Sequence, residues 1–198
     1  MAKIAVLYYS STGANYQLAQ WAEGALSEAG AEVKFLKIPE TAPEDAIAQN
    51  PAWQKHYEAT KDVPEASPDD LDWADGFIFS FPTRFGNVPG QVKQFMDICG
   101  GLWAQGKLVN KVCSAMTSAQ NPHGGQEQTL SNFYTSMFHW GCIIAGPGYT
   151  DDVIFASGGN PYGTSTTVDG EGNIQDDVQK AVEHQARRTF DITNKISG

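Results

Sequence analysis

Residues 8–20 read YYSSTGANYQLAQ. An apolar run stops abruptly at Ser10-Ser11-Thr12-Gly13, and helical spacing starts directly after it. Upstream, residues 3–9 (KIAVLYY) are apolar without alternation, as in a strand covered on both faces. Downstream, Leu18, Ala22, Ala25, Leu26 and Ala29 recur at helical spacing over residues 15–29, and Gly30 supplies the stop. Hydroxyls and unpaired backbone N–H groups therefore converge at a helix N-terminus, which is a ready anion site. The stretch holds no Lys or Arg, so it is neither G-x-x-x-x-G-K-[ST] nor G-x-G-x-x-G. A neutral, hydroxyl-rich cradle suits a phosphomonoester held by hydrogen bonds alone. Plain N-capping by Ser and Thr gives the same pattern.

The alternation continues outward. Residues 31–38 read as a second strand, 76–81 (GFIFSF) as a third, 112–117 as a fourth and 141–145 as a fifth. Helical spacing occupies 90–98 and 126–140, and a last helix carries Val178, Ala181, Val182, Ala186 and Phe190 on one stripe. Residues 39–75 stand apart: five prolines punctuate an Ala- and acid-rich stretch with short helices broken at Pro51, and we read it as an insertion. Its Trp53, Tyr57 and Trp73 are bulky for a surface loop and suit a subunit contact. A polar Gly- and Thr-rich loop spans 146–172. Five strand–helix alternations in a chain of 198 residues, with no repeat or linker, predict a single α/β domain. Its parallel sheet carries helices on both faces, and ligands bind at the carboxyl ends of the strands. The loops that matter are then 10–15, 81–87 and 117–125.

Composition narrows the function. The formal net charge is −10, which repels phosphate backbones and anionic membrane surfaces and so excludes general nucleic-acid binding. Three cysteines, Cys99, Cys113 and Cys142, form no C-x-x-C pair and fit buried thiols in a reducing cytoplasm. The N-terminal residues lack a signal-peptide cleavage region and no apolar stretch is long enough to span a bilayer, so we expect a cytoplasmic protein without membrane insertion. His56, His123, His139 and His184 are dispersed, and no metal site is expected.

The loop S-S-T-G-A-N after a strand resembles the flavodoxin phosphate loop. Together with PTRFGN at 82–87, GGLW at 100–103, GGQEQT at 124–129 and GGNPYG at 158–163, it closely resembles the WrbA-type NAD(P)H:quinone oxidoreductases over nearly the whole chain. The resemblance implies a flavodoxin-like, doubly wound five-stranded parallel sheet of order 2-1-3-4-5. It implies FMN as cofactor, NADH or NADPH as electron donor, a quinone as acceptor, and a homotetramer whose active sites are completed by neighbouring subunits. Ser10, Ser11, Thr12, Gly13, Ala14 and Asn15 would hold the FMN phosphate. Pro82, Thr83, Arg84, Phe85, Gly86 and Asn87 would line the flavin ring. Ser118, Ala119, Gln120, Asn121, His123 and Gly124 match the third flavin loop, with one extra residue around Pro122 and with Gln120 and His123 in place of the family's glycines.

Three side chains are read for chemistry. Arg84 would favour the anionic reduced flavin, its alternative being a surface salt bridge. Trp103 matches a family active-site tryptophan and can stack a nicotinamide or a quinone; a core tryptophan is the alternative. His139 aligns with a family histidine that can hydrogen-bond a quinone oxygen or donate a proton, the alternative being a histidine favoured by a helix C-terminus. The family commonly has Tyr where this chain has Thr12 and His where it has Ala14. Thr12 makes the loop more like that of a flavodoxin, and weaker nucleotide binding or altered donor preference is expected. The reaction expected is hydride transfer to FMN followed by two-electron reduction of a quinone in the same space, with ping-pong kinetics. Two rivals stand beside it: a flavodoxin-like one-electron carrier, and a non-enzymatic interaction protein in which FMN stabilises a scaffold.

Overall fold

The computed structural model describes residues 1–197. The elements run β1 (Lys3–Tyr8), α1 (Ala14–Glu28), β2 (Glu32–Lys37), α2 (Glu44–Ala48), α3 (Pro51–Ala59), α4 (Pro68–Trp73), β3 (Gly76–Pro82) and α5 (Gly90–Ile98). There follow α6 (Gly100–Ala104), β4 (Val112–Ala119), α7 (Gln126–Trp140), β5 (Ile143–Ile144), α8 (Asp152–Ala156), β6 (Ser165–Thr167) and α9 (Gln179–Ser197). The sheet is parallel, as the alternation predicted, with the order β2-β1-β3-β4-β5 that the family resemblance implied.

Successive strand residues point to opposite faces, and the two faces bury different layers. Ile4, Val6 and Tyr8 of β1, Ile78 of β3 and Met116 of β4 pack with Leu18, Ala22 and Leu26 of α1 and with Val182, Ala186 and Phe190 of α9. Ala5, Leu7, Phe77, Phe79, Phe81 and Ala115 pack on the other face with Phe95 of α5 and Leu130, Phe133 and Met137 of α7. The three cysteines are free and buried, and burial pushes the Cys99 and Cys142 thiols up to about 12.

The fifth position of the sheet differs from the expected single strand at 141–145. It is filled in two pieces, β5 beside Val112 and Cys113, and β6 beside Thr117 to Ala119. Between them the edge of β4 at Ala115 lacks a strand partner, and side chains take over the ladder. The Tyr134 hydroxyl accepts from the Ala115 N–H at 3.0 Å, and Gln185 Nε2 of α9 donates to the Ala115 carbonyl at 2.9 Å. Tyr134 then donates to the Tyr162 carbonyl at 2.7 Å, and Gln185 Oε1 accepts from the Thr164 N–H at 2.7 Å. Between those two residues Gly163 comes so close that a Cβ there would stand 2.1 Å from the Ala115 carbonyl oxygen.

The insertion folds as α2, α3 and α4. Pro51 opens α3 rather than merely breaking a helix, because Asn50 caps it by accepting from the N–H groups of Ala52 and Trp53. Trp73, expected at a subunit contact, packs on the core with the Lys34 ammonium 4.6 Å from its ring centroid. Lys34 is held there by Asp70 at 2.7 Å.

Gly163→Ala forces backbone apart at the split edge. We predict a loss of about 3 kcal/mol in unfolding free energy, read from the urea midpoint. A change below about 0.5 kcal/mol would show that β5 and β6 are not locked to β4 through this contact.

Candidate functional site

The loops after β1, β3 and β4 meet at the carboxyl end of the sheet and enclose a cavity of about 590 Å³. That volume lies in the range of small-molecule and cofactor sites. Asn50 and Trp53 from the insertion, Gln91 at the start of α5 and the segment 168–170 complete the wall.

The first loop is an anion cradle. Gly13 caps α1 at φ +106°, a backbone conformation that a side chain would strain. Ser10 Oγ accepts from the Gly13 N–H at 3.0 Å, which leaves the Ser10 hydroxyl hydrogen to donate elsewhere. The N–H groups of Ala14, Asn15 and Tyr16 belong to the first helical turn and have no acceptor within the helix. No acidic residue occupies that turn to compete for them.

Asn15, expected to help hold the phosphate, turns its side chain inward. It is buried, its Nδ2 donates to Ser80 Oγ at 3.2 Å, and its Oδ1 accepts from Ser118 Oγ at 2.6 Å. Ser80 Oγ in turn donates to the Asn15 carbonyl at 2.8 Å. The amide thus ties the start of α1 to the ends of β3 and β4. Ser118, matched to the third flavin loop, is the other end of the same clamp through its hydroxyl. What Asn15 presents to a ligand is its backbone N–H.

The second loop is a tight turn. Arg84 and Asn87 exchange backbone hydrogen bonds of 2.8 and 3.0 Å, with Phe85 at φ +53° and Gly86 at φ +75° between them. Two successive left-handed residues make a type I′ turn. A phenylalanine there is strained, and its ring is fully exposed beside the cavity it lines. Neighbours hold the turn in place: Asn132 Nδ2 donates to the Gly86 carbonyl at 3.0 Å, and Thr83 shares a 2.5 Å hydrogen bond with Thr129. The Arg84 guanidinium reaches back over the first loop to donate to Ser11 Oγ at 3.1 Å and to the Thr83 carbonyl at 3.1 Å. The sequence left a surface salt bridge open for Arg84; its hydrogen bonds go to these neutral oxygens.

In the third loop Ala119, Gln120, Asn121 and Gly124 line the cavity. His123 does not. The Asn121 side chain accepts from the His123 N–H at 2.9 Å and its carbonyl accepts from the Gly124 N–H at 3.1 Å. This turn at Pro122 places His123 on a neighbouring cavity beside α7 and β6.

Trp103 and His139 are also displaced from the expected place. The helix α7 starts at the site and runs back along the sheet, so His139, thirteen residues past Gln126, lies about 20 Å away at the opposite end. Trp103 Nε1 donates to the His139 carbonyl at 2.9 Å, so both sit together there, exposed. Within one chain neither reaches the cavity.

The insertion supplies residues that the local sequence pattern did not single out for the site. Glu40 accepts from the Tyr9 hydroxyl at 3.0 Å and from Gln91 Nε2 at 2.7 Å, so it braces the cavity floor. Burial pushes the Tyr9 phenol well above its ordinary range. His56 lies against Gly13, and burial lowers its pKa to about 4. The adjacency of Tyr9 to the first loop was the one available signal. Thr12 faces Gly172, where a Cβ would stand 2.0 Å from the Thr12 hydroxyl. A tyrosine at position 12 therefore needs the segment around Gly172 to move. No group of three or more His, Cys, Asp or Glu among the described residues is placed to hold a metal ion.

Comparison with known proteins agrees on one family. Residues 2–149 match the family model described as NADPH-dependent FMN reductase. A protein of Deinococcus radiodurans named NAD(P)H dehydrogenase (quinone) is 53% identical over 196 residues, covering 99% of this chain and 98% of its own length. One of the same name from Acidithiobacillus ferrooxidans is 41% identical over 205 residues and covers all of both chains. Among solved structures, a flavodoxin described as WrbA-like from Agrobacterium tumefaciens superposes with a TM-score of 0.62 at 20% identity, covering 99% of each chain. The Paracoccus denitrificans flavoenzyme FerB, an NAD(P)H:(acceptor) oxidoreductase, gives 0.60 at 13% identity and 99% of each chain. These two structural likenesses bear on the fold.

Replacing Asn15 by Ala leaves the Ser118 hydroxyl without its acceptor in a buried place. We predict a loss of about 3 kcal/mol in stability, measured by urea unfolding without ligand. A loss under about 1 kcal/mol would mean that the amide is not the clamp between the loops.

Proposed function

Because the chain belongs to the NADPH-dependent FMN reductase family, in its WrbA-type, flavodoxin-like branch, we propose that it is an FMN-dependent NAD(P)H:quinone oxidoreductase. The overall reaction is NAD(P)H + quinone + H⁺ → NAD(P)⁺ + hydroquinone. The observation that supports this reading most directly is the convergence of a neutral phosphate cradle, a flat-sided turn at Thr83–Asn87 and a third loop around one cofactor-sized cavity.

The residues present fit FMN. The cradle offers the Ser10 and Thr12 hydroxyls and the free N–H groups at the start of α1, a donor set matched to a phosphomonoester. Gly13 lets the backbone turn close to the bound group. When bound, FMN supplies an acceptor for the hydride of the nicotinamide and returns two electrons to the quinone. Among the described residues Arg84 is the one cation lining the cavity, and it would stabilise negative charge developing there. Phe85, exposed at the mouth, would cover one side of an incoming ring.

Trp103 and His139 enter the reaction in this reading only if another subunit carries them to the cavity. The homotetramer that the family resemblance implies does this, with Trp103 stacking the substrate and His139 hydrogen-bonding a quinone oxygen. No helix among the described residues is long and apolar enough to cross a membrane, which suits a reaction with small diffusing substrates.

The test is steady-state NADH oxidation by FMN-loaded protein, with benzoquinone varied at several fixed NADH concentrations. Parallel double-reciprocal lines are expected, since donor and acceptor share one space. Negligible turnover despite bound FMN would favour a carrier or scaffold role instead. Arg84→Ala should lower kcat/KM about 10- to 100-fold. Trp103→Ala should lower kcat/KM for the quinone in protein whose mass by light scattering is four times that of the chain. An unchanged kcat/KM in that tetramer would exclude Trp103 from the site.

A further inference from the structure

Beside the phosphate cradle the insertion closes off a second, much smaller space of about 30 Å³, room for about one water. His56 enters it from α3. Its ring meets Tyr16 of α1 edge-on at 5.5 Å between centroids, and its Nδ1 lies 3.5 Å from where a Cβ on Gly13 would stand. Gly13 is the N-cap of α1, so the imidazole lies directly behind the turn whose donors form the cradle. The Tyr8 hydroxyl lines the same small space, buried and without a hydrogen-bond partner among the described residues. A water-sized space thus connects an imidazole to an unsatisfied hydroxyl under a loop built for an anion.

The cradle has no lysine or arginine of its own, and the chain is strongly acidic. A phosphate entering it brings negative charge close to His56. The other charged or titratable groups around this space are already committed. Lys37 Nζ donates to the carbonyls of Thr60 and Lys61 at 3.3 and 3.0 Å and faces Glu65 at 4.0 Å. Glu40 accepts from Tyr9, from Gln91 and from the N–H groups of Thr41 and Ala42. Burial keeps the Tyr8 and Tyr9 phenols protonated. Tyr16 and Tyr57 complete the surroundings. Among the described residues around this space, His56 is the neutral side chain that becomes a cation on gaining a proton.

We propose that His56 is a proton-coupled positioning residue for the flavin phosphate: neutral in the free protein, it takes up a proton when a phosphate monoester settles against Gly13. The proposal rests on the FMN reading of the site. The protonated imidazole adds a positive charge from behind the loop, without occupying it, to that of Arg84 laid over Ser11 at the front. Flavin binding then depends on pH in a definite direction. Burial holds the free imidazole at about 4, so below that pH it is protonated in both states and binding takes up nothing there. Above it, binding draws in a proton until the pH exceeds the raised value in the complex. An opposite charge a few ångströms away favours the charged form of such a group by roughly 10- to 1000-fold.

Calorimetric titration with FMN in two buffers of different ionisation enthalpy measures the proton uptake. Wild type is compared with His56→Gln and with His56→Phe, which keeps the edge contact to Tyr16. At about pH 5, wild type should take up close to one proton more than either variant and should bind FMN about tenfold more tightly than His56→Gln. At about pH 7.5 both differences should vanish. Histidine ring ¹⁵N shifts of wild type, recorded with and without FMN at about pH 5, give the same answer without a variant: the His56 ring becomes protonated on binding. Equal uptake and parallel affinity profiles, or an imidazole that stays neutral in the complex, would overturn the proposal while leaving FMN binding intact. A wild type that binds no FMN at any pH would overturn the flavin reading and the proposal together.

Discussion

The buried amide of Asn15 is the constraint on which the site depends. A parallel sheet delivers three loops to one end, but nothing in the sheet itself fixes their mutual spacing. Asn15 does this by engaging Ser80 with its NH₂ and Ser118 with its carbonyl oxygen, while Ser80 returns a bond to the Asn15 backbone. The first turn of α1 is thereby anchored over β3 and β4, and its free N–H groups are aimed outward into the cavity. Polar groups this deeply buried must all be paired, so the clamp tolerates few alternatives. The outer contacts follow from it: Thr83 against Thr129, Gly86 against Gly125, and Arg84 laid back over Ser11.

The resulting site is electrostatically economical. An acidic chain holds an anion site with oriented amides and hydroxyls rather than a cluster of cations. The helix terminus supplies a fixed partial positive charge within its first turn. Arg84 is the one cation lining the cavity among the described residues, and it is positioned over the cradle by hydrogen bonds to Ser11 and Thr83. The insertion after β2 is part of this arrangement and not an ornament on it. Through Trp53, Glu40 and His56 it forms a wall, a brace and a backing for the first loop.

Much of this was legible in the sequence, and the failures have physical causes. The parallel sheet followed from alternation and its strand order from the family resemblance, and the bounds of α5 and α7 were read without error from helical spacing. The three site loops were legible because each follows a buried strand and carries small or hydroxyl residues. The split fifth strand was not, since the gap at Ala115 is closed by Tyr134 and by Gln185, seventy residues away. Asn15 was placed in the site for its position, yet its side chain turned inward, because two serines on separate strands supplied buried partners. His123 left the cavity through the Pro122 turn, which no periodicity encodes. The remoteness of Trp103 and His139 was in principle readable: a fifteen-residue helix running back from the third loop must end far from it. His56 and Glu40 were invisible, because only the return path of the insertion brings them under the first loop.

The central claim is that the loop at residues 10–15 holds the phosphate of FMN through neutral donors. Titration of the protein with FMN and with riboflavin, followed by flavin fluorescence, tests it most directly, because the two ligands differ only in that phosphate. Several charge-assisted hydrogen bonds are at stake, so FMN should bind at least about 100-fold more tightly than riboflavin. Riboflavin binding as tightly as FMN would contradict the account, since the cradle would then contribute nothing to holding the cofactor.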